Sequence, residues 1–520
     1  MTTYFTASSP LLPEILSLHG KWRANREAVI CGEQRLNWQQ FTHANHQIAH
    51  GLLAKNLQAG DRAGVIMSNG LPMLHALMGV MAAGLVSVPI NLSVNDDALI
   101  NMMKDAEVSV LLVSEDQRLR VESLMDDLPD SIQLFVSDSI DNNNWISMDE
   151  LSKGQPTTLP PINYTKDSLL NIIYSSGTTG MPKGIAHNHA GRRDWAYDLC
   201  IALRYDDRAK ILLTLGLYSN ISWVGMLCTL LCGGTLVIHT RFDSNEFLTT
   251  VQDEKITHTV MVPIQYQRVL AALANHPCDL SSMQSMMSCG SPLHQGLKQA
   301  IFKAFACGIV ELYGLTEGII TTLNPEEAEG RWSSVGRPLI GTDIAIINEQ
   351  DEFVAAGQCG EIVSRGRITM PGYFNRADAN QEAEFIDKQG QQWLRSGDIG
   401  QLDKEGYLYI VDRKKDMILS GGQNIYPQDI EAIIIEHPAI NDVAVIGAKS
   451  QRWGETPIAL AVISPNEKIT TQELLTWANQ KLGKQQRLAD LLPIDELPRN
   501  PNGKILKREL RVQYGNQSYE

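Results

Sequence analysis

The chain of 520 residues has no surplus of positive charge: 44 Lys and Arg stand against 59 Asp and Glu, a formal net charge of −15. Such a surface repels polyanions, which sets nucleic acid aside as a main partner. A nucleotide is not excluded, because it needs only a local cluster of donors. There is no C-x-x-C. The eight cysteines (Cys31, Cys200, Cys228, Cys232, Cys278, Cys289, Cys307 and Cys359) follow no regular spacing, so neither a disulfide framework nor a zinc site is indicated. Cys228 and Cys232, one helical turn apart in an apolar run, read as buried structural thiols. A clean apolar span of about twenty residues is missing too. Met73 to Val94 is broken by His75, two glycines and Pro89, and Ile211 to Thr240 carries Asn220, Ser222 and several glycines. Both read as buried helix-and-strand units, so no integral membrane segment is expected. Met1 to Pro13 lacks a basic region followed by an apolar core, which leaves the reducing cytoplasm as the expected compartment. No internal repeat or low-complexity tract stands out.

The length exceeds what one core accommodates, and 43% hydrophobic with 20% charged residues is an ordinary globular composition. Up to about Pro160, helical spacing alternates with short apolar runs. Trp38 to Leu57 and Leu71 to Gly84 read as helices. Arg62 to Met67, Val86 to Ile90, Leu111 to Val113 and Leu134 to Val136 read as strands. That alternation predicts an α/β fold with a doubly wound, parallel sheet. Asp138 to Asn144 is a polar turn region.

A further apolar run, Leu169 to Ile173, leads into Tyr174-Ser175-Ser176-Gly177-Thr178-Thr179-Gly180-Met181-Pro182-Lys183-Gly184. Four hydroxyls, three glycines, one proline and one lysine fall within its last ten residues. Glycines let backbone N–H groups turn toward a ligand, hydroxyls add donors, and Lys183 adds a point charge suited to phosphate. The loop is built to hold an anion of high charge density, with a nucleotide triphosphate as the leading candidate. It is not a Walker A loop, since no Gly-x4-Gly-Lys-[Ser/Thr] occurs. The nearby His187-Asn188-His189 lacks the further ligands of a metal site and reads as structural.

This loop resembles the signature phosphate loop of the adenylate-forming superfamily: acyl-CoA synthetases, aryl-CoA ligases, luciferases and peptide-synthetase adenylation domains. The resemblance extends over nearly the whole chain through further motifs in order. Gly290-Ser291-Pro292 looks like the element lining the adenine and acyl sites. Glu311-Leu312-Tyr313-Gly314-Leu315-Thr316-Glu317 matches Tyr-Gly-x-Thr-Glu. The resemblance implies a purine on Tyr313, close approach at Gly314, a phosphate contact from Thr316 and a Mg²⁺ ligand in Glu317. Asp398 of Arg395-Ser396-Gly397-Asp398 and Arg413 of Asp412-Arg413-Lys414-Lys415-Asp416 fall at the ribose positions. Lys415 falls at the hinge. Gly421-Gly422-Gln423 resembles the loop facing the thiol during thioester formation, and Trp453 resembles a tryptophan beside coenzyme A. Lys504, in Pro498-Arg499-Asn500-Pro501-Asn502-Gly503-Lys504, falls at the position of the lysine that serves adenylation. The nucleotide set is thus Ser175, Ser176, Gly177, Thr178, Thr179, Gly180, Lys183, Gly290, Ser291, Pro292, Glu311, Leu312, Tyr313, Gly314, Thr316, Asp398, Arg413 and Lys504, with Thr178, Lys183, Glu317 and Lys504 as the catalytic candidates.

The implied architecture is a large N-terminal domain over 1–411 with doubly wound αβ sheets and a β-rich subdomain from Ser334 onward. A hinge follows over 412–415, then a small mobile α+β domain over 416–520. The implied reaction makes an acyl-adenylate from a carboxylic acid and ATP, with Mg²⁺, then passes the acyl group to coenzyme A. Where relatives often read Pro-Leu-Phe-His, this chain has Gly216-Leu217-Tyr218-Ser219-Asn220, a departure that leaves the acid open among fatty, aryl and cyclic classes. No acidic residue lies between Ala209 and Thr240 to pair with an α-ammonium, which argues against an amino acid. Tyr218, Ser219, Asn220, Trp223 and Gly290 are the expected acyl-pocket residues. Two other readings stand beside the ligase: an enzyme loading a separate carrier protein's phosphopantetheine, and a nucleotide-binding regulator without turnover. Retention of Lys183, Glu317, Asp398, Arg413 and Lys504 speaks against the regulator. The oligomeric state is not legible, and a homodimer is compatible with the sequence.

Overall fold

Short apolar runs and longer amphipathic ones alternate along the first third of the chain, and they fold as strands and helices in that alternation. The computed structural model describes residues 9–138, 144–174, 182–421, 423–464, 469–484, 486–500 and 503–519. The expected ligand residues Ser175, Ser176, Gly177, Thr178, Thr179, Gly180 and Gly422 lie outside the described residues. The chain divides into two compact units, Met1–Asp343 with Arg365–Ala383, and Ile344–Ser364 with Glu384–Glu520.

Two large sheets form the first unit. One has eight strands in the order Gly372–Tyr373, Gly184–Asn188, Leu169–Tyr174, Val86–Pro89, Arg62–Ile66, Val108–Val113, Gln133–Val136 and Ile146–Ser147. From Leu169–Tyr174 to Ile146–Ser147 the pairing is parallel, whereas Gly184–Asn188 and Gly372–Tyr373 join antiparallel. The other sheet has nine strands, with a parallel centre from Val310–Gly314 through Ser285–Ser288, His258–Met261, Lys210–Leu213 and Thr235–Ile238 to Glu27–Cys31. Antiparallel strands close both of its edges.

Period-two alternation puts one set of side chains on each face. Val65, Ile211 and Leu213 enter a core shared by the inner faces of both sheets, while Ile66 and Leu212 enter separate outer cores. Helices supply the rest of the shared core. In Asn220–Cys232 every residue from Ile221 to Leu231 is buried, the pattern of a helix covered on all sides. The two apolar stretches of the sequence are therefore core elements, the helix Leu71–Ala82 with the strand Val86–Pro89, and the helix Asn220–Cys232 with its flanking strands. Among the described residues no helix is long and apolar enough to cross a membrane.

The second unit holds a five-stranded sheet, in which Gln392–Leu402 pairs antiparallel with both Gly360–Gly366 and Leu408–Arg413. Its six-stranded sheet centres on the hairpin of Ile440–Ser450 with Gly454–Ile463. Val443, Val445, Ala459 and Ala461 pack under the helices Pro427–Ile434 and Thr471–Lys481 on one face. Ala444, Ile446, Ile458 and Leu460 pack with Leu510 of Lys507–Tyr514 on the other. Thr470 caps the helix Thr471–Lys481, accepting from Glu473 N while the Glu473 carboxylate accepts from Thr470 N.

At Gly336 in the first unit the backbone tolerates only glycine. Gly336 has φ of +88°, and a Cβ there would lie 1.9 Å from the Thr322 carbonyl oxygen. The strand Arg337–Pro338, which begins directly after it, pairs with Thr321 and Thr322. Gly336→Ala is expected to cost about 2 kcal/mol or more through strain and displacement of that edge strand. A urea midpoint unchanged for the transition of the first unit would contradict this.

Candidate active site

In the first unit the strand that precedes the expected phosphate loop is firmly held. Tyr174, its last residue, donates its hydroxyl to Asp105 Oδ2 at 2.7 Å. The chain returns as Gly184–Asn188, antiparallel to it, with Lys183 immediately before the strand. Tyr373 pairs with Ile185 on the far side of that strand, and the Asn380 amide clasps the Tyr373 backbone at both N and O. The Lys183 ammonium lies 4.9 Å from the centre of the Tyr373 ring. The Tyr373 hydroxyl donates to Glu317 Oε1 at 3.0 Å. One tyrosine thus touches both the expected phosphate lysine and the expected metal carboxylate, and its phenol is held protonated by burial and by Glu317.

Glu317 stands in a tight turn after Val310–Gly314. Leu315 N donates to Ile319 O, and Met370 N donates to Glu317 O at 2.9 Å. Gly318, at φ +113°, lets the turn lie against the backbone of Ile368 and Thr369. His187 Nε2 donates to Thr316 O at 2.8 Å, and burial keeps its imidazole neutral. The Glu311 carboxylate forms a buried ion pair with Lys298, so its side chain is engaged within the protein. His187 and His189 have structural environments, the latter stacked on Tyr164 with ring centres 4.8 Å apart. Among the described residues no cluster of three or more His, Cys, Asp or Glu is arranged for a metal.

The expected acyl residues fall on the first turn of Asn220–Cys232 and just before it. Ser219 is its N-cap, its hydroxyl accepting from Ile221 N at 3.3 Å, and is 3% exposed. Trp223 is buried, with its indole N–H on Leu217 O at 2.8 Å. Tyr218 is half-buried. Asn220 Oδ1 is buried with no partner among the described residues. Gly290 and Ser291 follow the strand Ser285–Ser288.

The second unit gathers the remaining expected residues. Asp398 and Arg413 face each other across paired strands, with Arg413 Nε 3.3 Å from Asp398 Oδ1. Asp398 is 3% exposed. Glu361 organises the surrounding turn, accepting from Gly397 N at 3.3 Å and from Arg395 and Lys414, each at 3.1 Å. Lys504 is presented by a turn in which Asn500 Oδ1 accepts from Lys504 N and Lys504 O accepts from Asn500 N, both at 2.8 Å. Burial pushes its amine down to about 7, with repulsion from Arg413 and Lys415 adding to the shift and Asp398 and Asp416 opposing it. In the same unit Gly421 N donates to Trp453 O at 2.8 Å, so two of the expected coenzyme A positions touch. The Trp453 ring is 46% exposed, with the Arg452 guanidinium 4.7 Å from its centre. Tyr373, which contacts Glu317, and Glu361, which contacts Gly397 beside Asp398, were not themselves among the expected site residues. Tyr373 was signalled only by the Pro371-Gly372-Tyr373 turn, and Glu361 only by a Gly-Glu pair.

The family model of AMP-binding enzymes matches residues 19–374, and that of the AMP-binding enzyme C-terminal domain matches residues 429–504. The chain is 31% identical over 510 residues to the feruloyl-CoA synthase of an Amycolatopsis species, covering 95% of this chain and 99% of that protein. It is 30% identical over 493 residues to the long-chain-fatty-acid–CoA ligase FadD13 of Mycobacterium tuberculosis, covering 92% and 93%. Its fold matches the o-succinylbenzoate CoA synthetase of Bacillus subtilis in complex with an acyl-adenylate intermediate, with a TM-score of 0.83 and 27% identity over 97% of this chain and 99% of that one.

The depressed amine of Lys504 has a thermodynamic consequence. An unfolded lysine titrates near 10.4, so between about pH 7 and pH 10 the unfolded chain binds more protons than the folded one. The contribution of Lys504 to stability is therefore present at high pH and is lost as pH falls toward 7. Lys504→Met is expected to remove that slope, measured as the difference in urea midpoint between variant and wild type across pH 7–10. A constant difference would show that the amine is not depressed.

Proposed function

The chain belongs to the AMP-binding enzyme family, and on that premise we infer that it is an AMP-forming acid–thiol ligase, using ATP to activate a carboxylic acid and coenzyme A to accept the acyl group. The observation that carries this reading for the chain's own residues is the contact of Tyr373 with both Lys183 and Glu317. A carboxylate is a poor electrophile, and its attack on the α-phosphate of ATP brings anion against anion. Charge neutralisation and in-line positioning are what a protein can contribute. Lys183 offers a cation to the phosphates while the Tyr373 ring restrains it. Glu317 offers one oriented carboxylate, a donor set that suits Mg²⁺, which takes one or two carboxylates and completes its shell with phosphate oxygens and water. Bound there, Mg²⁺ would offset phosphate charge. Asp398 and Arg413 match a ribose diol, one accepting and one donating. Lys504 is the cation proposed to stabilise the charge that develops during adenylation. Trp453 and Gly421 are proposed to meet coenzyme A, with 412–415 as the hinge and 416–520 as the part that moves. Cytoplasmic location belongs to the same proposal.

The test is pyrophosphate release over short, medium and long fatty acids, aryl acids and cyclic acids, each with and without coenzyme A. AMP and thioester appearing together would support the ligase. Adenylate that coenzyme A cannot discharge would move the acceptor to a carrier protein. Lys504→Ala is expected to lower adenylation by roughly 10²–10³-fold, the loss typical of one preorganised charge stabiliser, while thioester formation from supplied acyl-adenylate persists. Equal losses in both half-reactions would remove the assigned role.

A further inference from the structure

One cation of the first unit is buried without a counter-ion. Arg192, in the first turn of His189–Leu203, is 1% exposed. Its partners are neutral. Nε donates to Asn171 Oδ1 at 3.0 Å and Nη2 donates to His187 Nδ1 at 3.2 Å. The guanidinium carbon lies 4.9 Å from the ring centre of Trp195 and 5.2 Å from that of Trp223. No carboxylate among the described residues stands close enough to support the charge, and burial alone pushes the guanidinium down to about 9. A buried ion is costly unless it is paired, and two indole faces offset only part of that cost.

The same place holds an unmet amide donor. Asn171 is fully buried, and its Nδ2 has no partner among the described residues although its Oδ1 receives Arg192. Guanidinium and amide N–H groups together form a buried surplus of donors, the complement of a carboxylate. The cluster also has a direction. Trp223 belongs to the helix whose first turn carries the expected acyl residues, and His187, which accepts from Arg192, donates at its other nitrogen to the carbonyl beside Glu317. Arg192 therefore bridges the acyl helix and the phosphate strand.

We propose that Arg192 and Asn171 form an anion subsite of the acid pocket, and that the acid this enzyme activates carries a second carboxylate, which remains ionised on the guanidinium while the first is adenylated. The proposal rests on the ligase reading and on Trp223 as a wall of the acid pocket. A monocarboxylic acid of the same length would bury its tail against an unpaired cation, and sites built around a buried polar group reject analogues that leave it unpaired.

The test compares matched pairs, hexanoic with adipic acid, octanoic with suberic acid, and benzoic with isophthalic acid, by kcat/KM for pyrophosphate release. In at least one pair the wild-type enzyme is expected to favour the diacid on the order of 10- to 100-fold, the worth of a hydrogen bond to a charged group. Arg192→Leu is expected to bring that ratio to about one or below, and Arg192→Lys to retain part of it. If Arg192→Leu does not fold, the wild-type ratios decide alone. Preference for the monoacid in every pair would overturn the subsite while leaving the ligase intact. Equal losses for both members in Arg192→Leu would overturn it too, because a guanidinium acting on the reacting carboxylate or on the fold cannot distinguish them. Pyrophosphate release with no acid of any class would overturn the ligase reading, and the subsite with it.

Discussion

The antiparallel return of Gly184–Asn188 along Leu169–Tyr174 is the constraint on which the first unit's chemistry depends. A parallel sheet would carry the chain away into a crossover helix after Leu169–Tyr174. Here the chain comes straight back, so both ends of the loop are fixed by the same ladder. The returning strand also exposes a second edge, and Tyr373 pairs there with Ile185. Two consequences follow from that single pairing. Lys183 and Tyr373 are brought within cation–π reach, and the Tyr373 hydroxyl meets Glu317. Backbone hydrogen bonding, which is indifferent to side-chain identity, sets the distances on which the site's electrostatics rely.

That origin explains what the sequence could and could not disclose. The helix read over Trp38 to Leu57 and the strand read over Leu111 to Val113 fall on Trp38–Ala54 and Val108–Val113, because period and burial are local properties. Lys183, Glu317, Asp398, Arg413 and Lys504 were open to nomination as candidates because each sits in a short motif. Tyr373 was not, since its role arises from pairing with a strand far away in sequence. Glu361 escaped for the same reason, its partners Arg395, Gly397 and Lys414 being assembled by strand register. The N-terminal hairpin was also hidden. Glu27–Cys31 joins Thr235–Ile238 of the nine-stranded sheet, although the strands that follow it in sequence, from Arg62 onward, build the other sheet. The second unit begins well before the charged run 412–416, taking in Ile344–Ser364 and the whole chain from Glu384 onward, because Gln392–Leu402 holds Gly360–Gly366 and Glu384–Ile386 in one ladder.

Two cations of the first unit rest against aromatic faces, Lys183 on Tyr373 and Arg192 near two indoles, whereas Lys298 in the same unit is paired with the Glu311 carboxylate. Aromatic faces restrain a cation without cancelling its charge, so the charge remains available to an arriving anion. A carboxylate in the same place would satisfy the cation and compete with the ligand.

In the second unit cations crowd one another. Burial pushes the Lys504 amine down to about 7, with Arg413 and Lys415 adding repulsion and Asp398 and Asp416 compensating only in part, so that near pH 7 it is only partly protonated. A group poised there responds strongly to its surroundings, because a shift of one pKa unit corresponds to about 1.4 kcal/mol of interaction. On the proposed function, phosphate charge near Lys504 would draw a proton onto the amine and make it a full cation only when nucleotide is in place. Departure of pyrophosphate would weaken that hold again. On that reading, the burial and crowding that destabilise the ammonium in the free protein couple its protonation to the presence of the anion, without requiring any further acid or base.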